Sequence, residues 1–182
     1  MLLLARQILR TGICTESMPE PNDAWRVAGE QIQADLLALL GRALTIRQVD
    51  AGSCNGCELE INALNNPYYN LEGRGMHFVA SPRHADMLLV TGPVARNMQV
   101  ALRRTYEATP EPRLVVAVGD CGCSGGIFGE GTYAALGGVE RVVPVDVYIP
   151  GCPPPPQAIL AGLFVAMGIR EARSSPVAGV RG

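Results

Sequence analysis

The stretch Leu114-Val115-Val116-Ala117-Val118-Gly119-Asp120-Cys121-Gly122-Cys123-Ser124-Gly125-Gly126 decides how this chain folds. Five consecutive apolar, mostly β-branched residues run straight into a glycine-rich turn that carries cysteine. An uninterrupted apolar strand is buried on both faces, which is the habit of a parallel sheet covered by helices on both sides. The same pattern recurs on either side of it. Met87-Leu88-Leu89-Val90-Thr91 is a second such strand, Leu44–Val49 and His77–Ala80 precede it, and Val145–Ile149 follows. Between the strands the spacing predicts helices over Glu58–Leu64 and Asn97–Ala108, with a last helix over Pro156–Met167 stopped at Gly168. The expected fold is a flavodoxin-like, doubly wound α/β domain. Its ligands should bind outside the carboxyl ends of the strands.

Outside this core, residues 1–22 read as an amphipathic arm, with Leu2, Leu3, Leu4, Ile8 and Leu9 set against Arg6 and Arg10. Such an arm suits a membrane surface or a partner subunit. A helix is expected over residues 24–41, with Asp23 as its cap. The α/β domain then occupies residues 23–172, and 173–182 is expected to be a disordered tail. Length and composition agree with one domain of this class: 182 residues, 48% apolar but only 5% aromatic, with 21 glycines and 14 prolines for tight turns. A net charge of −2 offers nothing to nucleic acid. No apolar run approaches the roughly 20 residues that cross a bilayer, and no export signal is evident, so an unexported chain is expected.

The cysteines fall on this map in a telling way. Cys54 and Cys57 follow the first strand, Cys121 the fourth and Cys152 the fifth, all at carboxyl ends. Their loops, Gly52-Ser53-Cys54-Asn55-Gly56-Cys57, Gly119-Asp120-Cys121-Gly122 and Pro150-Gly151-Cys152-Pro153-Pro154, are rich in glycine and proline. Glycine lets backbone N–H groups approach a ligand closely, and N–H groups aimed at thiolate or sulfide stabilise negative charge. Four thiolates serve either zinc or an iron–sulfur cluster. Structural zinc usually takes two paired knuckles, and only one C-x-x-C pair exists here, so the arrangement suits a cluster better. A thiol redox pair at Cys54 and Cys57 leaves Cys121 and Cys152 without a role. Cys123 reads as a spare thiol, and Cys14 has no assignable role.

Other residues invite functional readings. Glu58 and Glu60 follow the cysteine pair, either as carboxylates coupled to the site or as acids favoured in a helix's first turn. Of the two, Glu60 is expected to be the less exposed. Arg83 and His84, in Ser81-Pro82-Arg83-His84-Ala85-Asp86, are either interface residues or part of a capped turn. Arg96 and Asn97 are expected at the site edge, and Arg103 and Arg104 on a solvated helix face. The glycine-rich turn after the fourth strand has no Walker lysine and no G-x-G-x-x-G, so nucleotide binding is discounted.

Several stretches together resemble a known family. They are Ser53-Cys54-Asn55-Gly56-Cys57-Glu58-Leu59-Glu60-Ile61, Ser81–Asp86, Val90-Thr91-Gly92-Pro93-Val94, Gly119-Asp120-Cys121-Gly122, Ser124-Gly125-Gly126-Ile127-Phe128, and Val142–Pro154. The chain resembles the small subunit of membrane-bound NiFe hydrogenases of the formate hydrogenlyase type, and the related 20 kDa subunit of respiratory complex I. The resemblance implies one 4Fe–4S cluster on Cys54, Cys57, Cys121 and Cys152, and electron transfer within an oxidoreductase complex. It implies as partners a NiFe hydrogenase-like large subunit, a ferredoxin-like iron–sulfur subunit and membrane subunits, with the chain peripheral on the cytoplasmic side of the inner membrane. Complex I relatives carry two adjacent cysteines where this chain has Cys54-Asn55-Gly56-Cys57, so the split pair resembles the hydrogenase branch. The alternative is a complex I-like subunit whose cluster passes electrons to quinone. Cys123 departs from the family pattern, which usually has another residue there.

Overall fold

The computed structural model describes residues 43–129 and 132–174, together with Arg6 and Arg10, which are helical and exposed. The rest of the amphipathic arm, the helix expected over 24–41, Cys14 and residues 175–182 lie outside the described residues.

Five strands form one parallel sheet: β1 (Leu44–Asp50), β2 (Met76–Phe78), β3 (Met87–Thr91), β4 (Leu114–Val118) and β5 (Val147–Ile149). Their order is β2-β1-β3-β4-β5, every pair parallel. This is the flavodoxin-like order, which reverses direction between β1 and β3. Among the described residues from 43 on, four α-helices accompany the sheet: α1 (Gly56–Ala63), α2 (Gln99–Ala108), the short α3 (Gly119–Ser124) and α4 (Pro156–Ser174).

The apolar strands divide their side chains between two cores, because successive strand residues point to opposite faces. On one face Leu44, Ile46, Met87, Leu89, Leu114 and Val116 pack with Ile61 of α1 and with Ile159 and Leu163 of α4. On the other, Val49, Leu88, Val90, Val115 and Ala117 pack with Leu102 of α2 and with Val94, Val139 and Val143. Every residue of β3 and β4 is buried, as their unbroken apolar sequences require.

The structure corrects several expected boundaries. β5 begins at Val147, not Val145, because Asp146 pairs with β4 partly through its side chain: its N–H donates to the Val115 carbonyl at 2.9 Å and its Oδ2 accepts from the Val115 N–H at 2.8 Å. β2 ends at Phe78, ahead of a turn at Pro82–His84. The last helix continues through Gly168 to Ser174, since Gly168 does not take the left-handed φ that ends helices. The turn expected after β4 is the helix α3, which starts where Gly119, at φ +83°, swings the chain out of the strand direction.

Candidate iron–sulfur site

The cleft lies at the carboxyl edge of the sheet. Cys54, Cys57, Cys121 and Cys152 all line it, together with Gly92 and Asp120, around an empty volume of about 340 Å³ open to solvent. The structure thus brings together the four cysteines singled out in the sequence, from loops after β1, β4 and β5. Cys54 and Cys152 are exposed, whereas Cys57 and Cys121 are partly covered, and all four are free thiols.

Each loop is tied down locally. Asp50, the last residue of β1, accepts from the N–H groups of Gly52 and Ser53, both at 2.8 Å. The Ser53 hydroxyl accepts from Asn55 N–H at 3.2 Å, and Asn55, left-handed at φ 71°, starts α1 so that Cys57 lies in its first turn. Asp120 N–H donates to the Gly151 carbonyl at 2.9 Å, and Gly151 N–H donates back to Asp120 Oδ1 at 2.7 Å. Glycine at position 119 is a steric demand, because a Cβ there would sit 2.6 Å from Cys57 Sγ. A Cβ on Gly126 would likewise lie 2.8 Å from Cys121 Sγ.

The electrostatics describe crowded thiols. Burial pushes the Cys57 thiol up to about 12, with help from the neighbouring Glu58 carboxylate and from Cys54, Cys121 and Cys152. Burial also raises Cys121, and Cys152, Cys54 and Asp120 add to the effect. Burial and the neighbouring sulfurs thus oppose ionisation of Cys57 and Cys121 in the empty cleft, an effect that a bound cation offsets. Among the described residues no three His, Cys, Asp or Glu side chains stand close enough to share a single metal ion. Four cysteine sulfurs presented by three glycine- and proline-bearing loops make a soft donor set of the kind that holds iron–sulfur clusters. The donor set and the glycine-lined walls therefore fit an iron–sulfur cluster.

Cys123, two residues beyond Cys121, turns away from the cleft. Its Sγ lies 3.9 Å from the Ala117 carbonyl, and burial raises its thiol. Glu58 is the buried acid of the α1 pair, contrary to the expectation for Glu60, which is only partly covered. Its Oε1 accepts from the Thr91 hydroxyl while Oε2 is buried without a partner. Arg83 and His84 belong to the capped turn and lie away from the site. They lie exposed in the turn leading to the amino end of β3, the opposite end of that strand from the cleft. That turn is capped at Ser81, whose hydroxyl accepts from Arg83 N–H at 3.4 Å. Arg96, beyond the carboxyl end of β3, does not line the cleft; it donates to the Tyr133 carbonyl at 2.8 Å and the Thr132 carbonyl at 3.2 Å. Arg103 and Arg104 are exposed on α2. Sequence reading missed the anchoring residues Asp50, Asp120 and Thr91. A local signal existed for Asp50, since Asp-x-Gly-Ser marks a side-chain-stabilised turn, but none existed for Thr91.

Comparison with known proteins places this architecture. Residues 54–166, which span from the first of the cleft cysteines into α4, match the model of the family described as NADH ubiquinone oxidoreductase, 20 Kd subunit. The chain belongs to this family. It is 46% identical over 77% of its length to formate hydrogenlyase subunit 7 of Escherichia coli, a match that covers 54% of that longer relative. It is 47% identical over 68% of its length to an NADH-quinone oxidoreductase subunit of Desulfovibrio desulfuricans, covering 66% of that protein. Among solved structures, a chain of an archaeal respiratory membrane complex, the membrane-bound sulfane sulfur reductase, superposes with a TM-score of 0.64 at 32% identity. That superposition covers 79% of this chain and 77% of the other. The 20 kDa subunit family is one of oxidoreductase-complex subunits, and this chain is such a subunit. Among the described residues no helix is long and apolar enough to cross a membrane.

Proposed function

We propose that this subunit holds one 4Fe–4S cluster on Cys54, Cys57, Cys121 and Cys152 and passes electrons within a membrane-associated, formate hydrogenlyase-like NiFe hydrogenase complex. The observation that carries the reading is the convergence of four free thiols from three loops on one cleft at the carboxyl edge of the sheet. A bound cluster supplies one-electron transfer, and the protein's share is to hold it, set its potential and present it to a partner. Exposure of Cys54 and Cys152 fits electron exchange across an interface with another chain. So do the exposed apolar side chains Ile127, Phe128 and Tyr133 on the segment after Cys121, since uncovered apolar groups mark contact surfaces.

The partners in this reading are a NiFe hydrogenase-like large subunit, a ferredoxin-like iron–sulfur subunit and membrane subunits, with this chain peripheral on the cytoplasmic side of the inner membrane. The split pair Cys54-Asn55-Gly56-Cys57 favours the hydrogenase branch. Identity to the NADH-quinone oxidoreductase subunit of Desulfovibrio desulfuricans supports, as a second reading, a quinone-linked complex.

The test is metal analysis and electron paramagnetic resonance on the complex isolated anaerobically through this chain, wild type against Cys121→Ser. Iron and nickel in the wild type, with loss or conversion of one reduced-state signal in the variant, is the expected result. Iron without nickel moves the assignment to the quinone-linked reading. Zinc alone, or an unaltered spectrum from Cys121→Ser, removes the cluster assignment.

A further inference from the structure

The ladder between β4 and β5 has Val118 and Ile149 as its last pair, and Cys121 and Cys152 each stand three residues further on. Beyond that pair the two chains diverge, β4 into α3 through Gly119 and β5 into a loop turned by Gly151 at φ +135°. One residue spans the gap. Asp120 N–H donates to the Gly151 carbonyl, and the Asp120 side chain, through Oδ1, takes the Gly151 N–H at 2.7 Å. The two bonds close a ring between the residues immediately preceding two of the cysteines. Asp120 is in the first turn of α3, and its carboxylate reaches across to the backbone of the other loop. A Cβ on residue 151 would lie 2.7 Å from Pro154 Cα, so the loop closes tightly on itself and has only its backbone groups to offer.

We infer that Asp120 is a positioning residue of the cluster site: it fastens the Cys121 helix to the Cys152 loop, and its fixed negative charge beside the thiolates holds the cluster's reduction potential down. The inference rests on the cluster reading above. It assigns separable jobs to the oxygen that accepts and to the charge. Charge near a cluster sets its potential, and residues that orient metal ligands govern retention of the metal by about 10–100-fold.

Two substitutions in the anaerobically purified complex separate these roles. Asp120→Asn keeps an oxygen able to accept from Gly151 N–H and removes the charge. Its iron content and g-values should match wild type, and its midpoint potential in a redox titration should shift positive. Asp120→Ala removes the side-chain half of the clamp, leaving only the backbone bond to the Gly151 carbonyl, and iron release to a chelator should quicken by about 10–100-fold. Should Asp120→Ala fail to assemble, the potential of Asp120→Asn still decides. A wild-type potential in Asp120→Asn, or wild-type iron release in Asp120→Ala, overturns the inference and leaves the cluster in place. A wild-type complex that contains no iron on this chain overturns the cluster reading itself and this role with it.

Discussion

Replacing Gly119 by alanine separates backbone strain from intrusion into the site. Gly119 sits at φ +83°, a conformation that costs an L-residue about 1–2 kcal/mol. A comparison is available at Gly75, which ends the turn before β2 at φ 77° and ψ 23°, remote from the cysteines. Gly75→Ala should lose the same ~1–2 kcal/mol, a several-fold to thirty-fold change in the folding equilibrium, with no effect on the metal. At Gly119 a second term enters. The new Cβ would lie 2.6 Å from Cys57 Sγ, against a normal non-bonded separation of about 3.5–4.0 Å. The sulfur must therefore retreat by about 1 Å, several times the ~0.2 Å within which metal–ligand distances hold. Nor can the alanine simply withdraw, since the Gly151 carbonyl lies 3.4 Å from the same Cβ. The assay is iron and acid-labile sulfide per complex, with the reduced-state resonance spectrum, alongside thermal unfolding. Both variants should unfold at lowered temperatures, Gly119→Ala at the lower, and only Gly119→Ala should lose iron. Equal iron and identical g-values in the two variants would refute the claim that Cys57 needs the space above Gly119.

Thr91→Val should cost about 1.5–3 kcal/mol, because Glu58 would lose the hydroxyl that serves Oε1 while its Oε2 is already buried without a partner. A urea midpoint change worth less than about 0.5 kcal/mol would show that another donor takes over. Leu89→Ala, at a fully buried site in the centre of β3, should cost about 2–5 kcal/mol in the same measurement. Cys123→Ser should leave iron content and spectrum unchanged, since that sulfur lies toward the Ala117 carbonyl and not in the cleft. The cluster-free chain should weaken in alkali. Cys57 is raised in the folded state from an ordinary 9.0 to about 12, so between those values the folded chain binds the extra proton and stability falls as pH rises. Urea midpoints from pH 8 to 11 check this, and Cys57→Ser should flatten the decline; an identical slope in the variant would contradict it.

Much of the fold was legible because apolar strands buried on both faces announce themselves without any long-range information. Met87–Thr91 and Leu114–Val118 occur at the positions their sequences predict. The misjudged ends share one cause. Where Asp146 substitutes a carboxylate for a backbone carbonyl, strand pairing and side-chain bonding look alike in sequence, and only the bond to Val115 tells them apart. Gly168 reads as a stop, yet glycine ends a helix only when its backbone goes left-handed, and composition does not specify φ.

The site divides along the same line. The residues that present sulfur were visible because cysteine is rare and all four follow strand ends. The residues that place the sulfurs were not, because Asp120, Asp50 and Thr91 are ordinary residue types whose importance comes from a partner elsewhere. Asp120 is one residue from Cys121 in sequence, but its role depends on Gly151, in the loop after a different strand. Glu58 shows the same limit from the other side. Helix periodicity cannot say whether position 58 or position 60 faces inward, because that depends on Thr91 lying on the neighbouring β3 to receive it. A carboxylate bonded through one oxygen and buried at the other is a costly arrangement. Its place next to Cys57 makes the cleft, not the hydrophobic core, the natural reason for tolerating it.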